Sequence, residues 1–177
     1  MTVFARRVLG AVLLDSRTYE EVEADGRATG QAITVVLLAS AAGGVGLLGL
    51  GMPTPQFFVT GIIGALVGWI AWAALTYVIG TRFLSEPQTK ADVGQLLRTI
   101  AFASSPGLLR AFGVIPSLGL VMYAIASIWM LLAMIVAVRQ ALDYTSTARA
   151  VGVCMVGWAL SLAVAAIIGI VLPAQVS

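Results

Sequence analysis

Arg110 is the one charged residue inside the long apolar stretches of this chain. An ionisable group in such a place points first to a functional site. Just before it stands Ser104-Ser105-Pro106-Gly107, in the middle of an apolar segment. Proline there removes a backbone hydrogen bond and collides with the preceding turn, so the helix must kink or break. The two serine hydroxyls can take up the carbonyls this frees. Unwound backbone at membrane depth persists only where protein or water covers it, and lining a site is one such situation. For Arg110 itself the sharper reading is a substrate or partner site. The plainer readings are a structural kink and a snorkelling arginine. Counted from Leu96, Arg110 lies roughly 21 Å along a helix at about 1.5 Å per residue. That places it near the outer boundary, within reach of lipid phosphate. The acidic residues all lie toward the other side, so the monomer offers it no ion pair.

Other chemistry is sparse. There is no histidine, which excludes His-dependent triads and His-ligated metals. The single lysine, Lys90, sits in a loop and cannot activate an intramembrane serine. The lone Cys154 cannot form an intramolecular disulfide. Asp15, Glu20, Glu21, Glu23, Asp25, Glu86, Asp92 and Asp143 lack the Asp-x-Asp spacing of a cation loop and read as a solvated face and helix caps. The glycines of the first apolar segment follow no strand, so they cradle no phosphate. A formal net charge of +2 is too small to suggest a nucleic-acid partner. The expectation is a non-enzymatic protein with no metal and no cofactor.

The elements that must position these residues follow from charge. All charges except Arg110 fall in Met1–Ala28, Thr81–Arg98 and Arg139–Arg149. The chain is 60% hydrophobic and 10% charged, with a mean hydropathy of +1.01. A soluble domain carries about 25% charged residues. A hydrocarbon core needs about 20 apolar residues per helix, and the expected spans are Thr29–Leu50, Phe57–Ile79, Leu96–Phe112, Leu120–Val138 and Val151–Leu172. The fold class is therefore all-α: a polytopic membrane bundle of five transmembrane helices plus a short N-terminal interfacial helix. Residues 1–28 form a cytoplasmic segment and 29–177 the transmembrane domain. Lysine and arginine set orientation, and every loop that holds them lies on one side. The N-terminus is then cytoplasmic and the C-terminus outside. Val8–Leu14 is short for a signal-peptide core and no small-residue cleavage pattern follows. The preference for arginine over lysine, with abundant Ala, Gly and Val, fits a GC-rich bacterial genome and hence a cytoplasmic (inner) membrane.

Local signals refine this frame. Phe4–Leu14 is too short to span and is expected in the cytoplasmic interface. Thr18-x-x-Glu21 reads as a capping box opening Tyr19–Ala24, and Thr89-x-x-Asp92 as a second one opening the third span. Asp25-Gly26 ends the second short helix. Gly51–Gln56, with Pro53 and Pro55, is a tight turn, as is the turn at Pro116. Ser146 or Thr147 caps the fifth span. Small residues crowd the first span (Gly43, Gly44, Gly46, Gly49, Gly51). They form Gly64-x-x-x-Gly68 in the second and recur at Ser161, Ala165 and Gly169 in the fifth. Such residues let helices approach closely, within one bundle, or at the dimer seam of a homo-oligomer or a moving interface. Trp69, Trp72, Trp129 and Trp158 are expected to fill core or meet lipid. Tyr77 and Tyr144 fit an interfacial belt.

Four stretches carry a resemblance. They are Leu13-Leu14-Asp15 with Ala28-Thr29-Gly30-Gln31-Ala32; Gly68-Trp69-Ile70-Ala71-Trp72-Ala73; Gln95-Leu96-Leu97-Arg98 through Ala101-Phe102-Ala103-Ser104-Ser105-Pro106; and Arg139-Gln140-Ala141 through Ser146-Thr147-Ala148-Arg149-Ala150. In this order and spacing the chain resembles the Yip domain family, five-span membrane proteins named for interaction with Ypt/Rab GTPases. The resemblance implies a membrane scaffold or adaptor that organises protein partners or lipids. The Asp-Leu-Tyr-Gly-Pro motif of eukaryotic members is not in this sequence, so their Rab contact is not carried over. Two readings follow. In the first, the cytoplasmic face engages a protein partner, and Tyr19→Ala with Glu20→Ala abolishes the association. In the second, the broken third span with Arg110 serves a small transporter, channel or lipid translocator. Residues singled out for either role are Arg98, Ser104, Ser105, Pro106, Arg110, Gly64 and Gly68.

Overall fold

The structure, a computed structural model, describes residues 1–51, 55–115 and 117–171, with side chains for all of these except 55–58 and 164–171. The expectations for Pro53, Thr54, Pro116 and Leu172, and for the packing of Ala165 and Gly169, lie outside the described residues. Backbone in lipid must satisfy its own amides, which favours helix throughout. The described residues form α1 (Val3–Val12), α2 (Ser16–Ala24), α3 (Thr29–Leu48), α4 (Pro55–Val78), α5 (Val93–Ala103), α6 (Gly119–Ala141) and α7 (Thr147–Val171), and no strand. A 3-10 turn, Gly26–Ala28, leads into α3, and a π-helical turn, Ile79–Phe83, ends α4. Among the described residues three helical stretches are long and apolar enough to cross a membrane: Gly26–Leu48, Val59–Phe83 and Gly119–Ala141.

The third expected span is where helix type changes. α5 stops at Ala103, and the chain continues as a 3-10 segment, Ser105–Val114, opened by Pro106. Runs of 3-10 helix beyond three or four residues are uncommon, and packing explains this one. A Cβ on Gly46 would lie 2.1 Å from the Arg110 carbonyl oxygen, and one on Gly49 2.1 Å from that of Gly113. Glycine on α3 thus lets the slim 3-10 backbone lie directly on that helix. Gly113 in turn comes against Gly119 at the start of α6. Together, α5 and the 3-10 segment run from Asp92 to the far ends of α3 and α6.

The N-terminal residues are built into the bundle. α1 and α2 form a hairpin turning at Leu13–Asp15, where Leu14 takes φ 60°. Gly10 makes the close approach: a Cβ there would meet the Thr18 hydroxyl at 2.1 Å. Ala11, Tyr19 and Val22 are fully buried in one core with Ala101, Phe102, Ala133 and Ala137. Trp129 Nε1 donates to the Val12 carbonyl at 2.7 Å. A helix expected to lie along the interface thus puts one face into the core, while Leu9 and Leu13 stay exposed. Tyr19, expected at the surface, is buried with its hydroxyl on the Ala11 carbonyl at 3.1 Å.

Two caps fall three residues from the expected position, one before it and one after it. Asp15, not Thr18, caps α2, because Glu21 is taken by arginines of α1 and cannot reach back. Asp92 caps α5 through a capping box with Gln95, while the Thr89 hydroxyl accepts from the Glu86 amide.

Candidate functional site

Small residues that face each other without meeting leave space. On α3, Ala39 and Gly43 face Gly61, Ala65 and Gly68 of α4 across a groove of about 490 Å³. Met130 and Met134 of α6 form its other wall. A second cavity of about 290 Å³ extends toward Cys154 and Trp158 of α7 and shares Trp72, Arg110, Met130 and Met134 with the first.

Arg110 enters the groove from the 3-10 segment. Its stem passes over Gly43, its guanidinium lies 5.3 Å from the Tyr123 ring centroid, and Nη2 donates to Ser127 Oγ at 3.1 Å. Ser127 sits roughly two turns inside α6 from Gly119. The guanidinium is thus directed inward along the bundle, the reverse of the outward snorkelling expected from sequence. Arg110 Nε is buried with no hydrogen-bond partner, and so is Trp72 Nε1. Buried donors are nearly always satisfied in folded proteins, so two partnerless donors on residues that line one groove mark its wall as a place for an acceptor.

The remaining residues singled out by sequence divide. Ser104 lines the groove, and its hydroxyl donates to the Ala101 carbonyl, which also accepts the Ser104 amide at 3.0 Å. Ser105 takes up no carbonyl, and its hydroxyl is buried without a partner. Pro106 is buried at the head of the 3-10 segment. Gly68 lines the groove, and a Cβ on either Gly64 or Gly68 would meet nothing within 4 Å. Arg98 is remote from the groove. Its Nε donates to the Val22 carbonyl at 3.0 Å and Nη2 to that of Glu23, so it caps the C-terminus of α2. Tyr123, Ser127 and the Trp72 N–H were not found by sequence. The available signal was the one-turn spacing of Tyr123 and Ser127, which puts both on one face of α6.

The opposite end of the bundle carries the charges. Arg7, 5% exposed, donates to Glu21 at 2.9 Å, Asp25 at 2.7 Å and Gln31 at 3.0 Å. Arg6 pairs with both Glu21 oxygens at 2.8 Å. Hydrogen bonds from these arginines hold the Glu21 and Asp25 carboxyls below their usual range. Glu86 accepts from the Thr145 amide at 3.0 Å and hydroxyl at 2.8 Å, which joins the loop after α4 to the loop after α6. Tyr144, expected in an interfacial belt, is buried and donates to the Gly80 carbonyl at 2.8 Å. Its ring closes the core under the π-helical turn. Glu20 accepts from Gln140 at 2.6 Å. Burial, and then the neighbouring Asp143, push the Glu23 carboxyl up to about 7.

The Yip1 domain model matches residues 10–173 of the chain. No curated protein and no solved structure matches it.

Proposed function

The chain belongs to the Yip1 domain family, and from that premise we propose a non-enzymatic integral membrane scaffold that binds a protein partner through its charged end. It crosses the bilayer five times, with α5 and the 3-10 segment together as the third crossing. Its N-terminus lies in the cytoplasm, and its membrane is the bacterial inner membrane. The observation that carries the reading is convergence. Three segments far apart in sequence meet at one end, through Arg98 on α2, Gln140 on Glu20, and Thr145 on Glu86. Glu20, Asp92 and Asp143 stand exposed there. Arg17, Arg27, Arg82 and Lys90 are exposed at the same end, so the surface suits a partner that carries charges of both signs. Tyr19 is unsuitable for testing it, because its removal opens the core. The test is Glu20→Lys with Asp143→Asn, the asparagine chosen because position 143 holds φ 52°. Affinity purification from native membranes should lose the partner while the elution profile of the bundle is unchanged. Undiminished recovery of the partner sinks the assignment.

A second reading, a small transporter, channel or lipid translocator, is favoured by the groove. A broken helix beside an inward-directed cation resembles the discontinuous helices that form transporter sites near the midplane. Lipid or solute flux from liposomes separates it from the first.

A further inference from the structure

We propose that the groove around Arg110 is a binding site for an anionic phospholipid, with the phosphate on the guanidinium and one acyl chain along the groove. The inference stands apart from the adaptor reading, since the groove and the charged end share no residue.

Charge is the first argument. Arg110 carries a full positive charge inward, and the ion pairs among the described residues engage Arg6, Arg7 and Arg149. Every carboxylate of the chain lies outside the apolar segments. The Tyr123 ring and the Ser127 hydroxyl orient the guanidinium without neutralising it. An uncompensated cation at that depth is costly, and a phosphate offers paired oxygens to a guanidinium edge such as the one ending in the open Nε.

The second donor fixes the kind of anion. Trp72 lines the same groove, and its Nε1, buried just behind that wall, lacks an acceptor. The Trp72 ring packs on Gly157, where a Cβ would come within 3.0 Å. That point lies roughly 15 Å into α7 from Thr147, and Trp72 also lines the second cavity with Arg110 and Ser127. A phospholipid supplies both acceptors in one molecule: phosphate oxygens, and an ester carbonyl a short way along the chain.

Shape completes the match. From Gly61 to Trp72 the groove follows α4 for roughly 16 Å, a trough for one hydrocarbon chain. Met130 and Met134 supply adaptable walls. Gly61 and Gly68 are exposed on its rim, beside the exposed apolar side chains Ile63, Val67 and Ile70. A ligand therefore enters sideways from lipid rather than from water.

The test uses the full chain in phosphatidylcholine nanodiscs that also carry phosphatidylglycerol brominated on its acyl chain, read by quenching of tryptophan fluorescence. Brominated phosphatidylglycerol should quench the wild type more strongly than equally brominated phosphatidylcholine, and Trp72→Phe should remove most of that difference. Arg110→Gln removes the charge, its amide ending near the position of Nε and short of Ser127, and should weaken the preference about tenfold, the loss of one charge-assisted contact. Arg110→Lys should keep part of it. Elution profile and melting check that each variant is folded. If the glutamine variant does not fold, the lipid comparison on wild type and Trp72→Phe decides alone. Equal quenching by the two lipids overturns the proposal, as does an unchanged preference in folded Arg110→Gln. Displacement by soluble glycerol phosphate would reassign the site to a water-borne anion. A dimer that buries the groove and leaves it unquenched would reassign it to a second copy.

Discussion

Arg98 and Arg110 lie on consecutive parts of one segment and meet opposite fates. Arg98 finds the carbonyls at the end of α2, where a cation also complements the helix dipole. Arg110 finds a ring and a hydroxyl, and keeps an open donor. The residue next to Arg98 makes a prediction of its own. Glu23 is half-buried, and Asp143, Glu20 and Asp92 add to the effect of burial while Arg98 opposes it, leaving its carboxyl at about 7. The folded chain therefore holds this proton more tightly than the unfolded chain, whose glutamates titrate near about 4.3. The contribution is complete below the unfolded value and is lost as pH rises through about 7. In detergent, the melting temperature of the wild type should fall between about pH 5 and pH 8, and Glu23→Gln should flatten that fall. Parallel slopes in the two proteins would discard the idea. Glu21, Asp25 and Glu86 are shifted the other way. What they add is lost only as pH falls through the acid range, so the two windows do not overlap.

At the scale of elements, glycine does two different jobs that look alike in sequence. Gly46 and Gly49 seat the 3-10 segment on α3, whereas Gly64 and Gly68 of α4 face open space. Gly46→Ala would press a methyl group into the Arg110 carbonyl, a backbone atom that cannot swing aside, and should cost about 1–3 kcal/mol. Gly64→Ala meets nothing within 4 Å and should be neutral or gain up to about 1 kcal/mol of helix propensity. Melting in detergent, with mass from light scattering, checks both. A homo-oligomer built on the Gly64-x-x-x-Gly68 face would reverse the second result and lose mass on substitution. This is also where sequence stops being legible. The start of α3 at Thr29 and the break at Pro106 follow from local signals, a charge-to-apolar boundary and a missing N–H. The 3-10 continuation does not, because its cause is glycine on another helix. The α1–α2 hairpin does not either: its burial depends on Gly10 admitting Thr18 and on Arg7 reaching Glu21 and Asp25. The groove was least visible of all, since it consists of side chains that are not there.

Across the whole molecule, the core divides into two clusters. One joins the α1–α2 hairpin to α3, α5 and α6, and the other joins α4, α5, α6 and α7 around Leu142 and Val153. Trp69 and Met134 pack against both, and Trp69 is pinned by its hydrogen bond to the Leu97 carbonyl at 2.9 Å. If those two side chains transmit packing, hairpin and bundle unfold as one cooperative unit. The chain carries its own reporter: Cys154, 3% exposed, is a free thiol in the second cluster. Tyr19→Ala empties the centre of the first cluster and, like other large-to-small core changes, should cost about 3–5 kcal/mol. Cys154 lies in α7, in the other cluster, so nothing local should expose it. With one cooperative unit, a thiol-reactive fluorophore labels Cys154 faster in Tyr19→Ala by the full factor of the lost stability, and hairpin and thiol become accessible together. With two independent units, proteolysis nicks the hairpin while Cys154 labels at the wild-type rate. The second result would mean that Trp69 and Met134 touch both clusters without coupling them, and that the charged end can rearrange for a partner while the groove stays closed to the change.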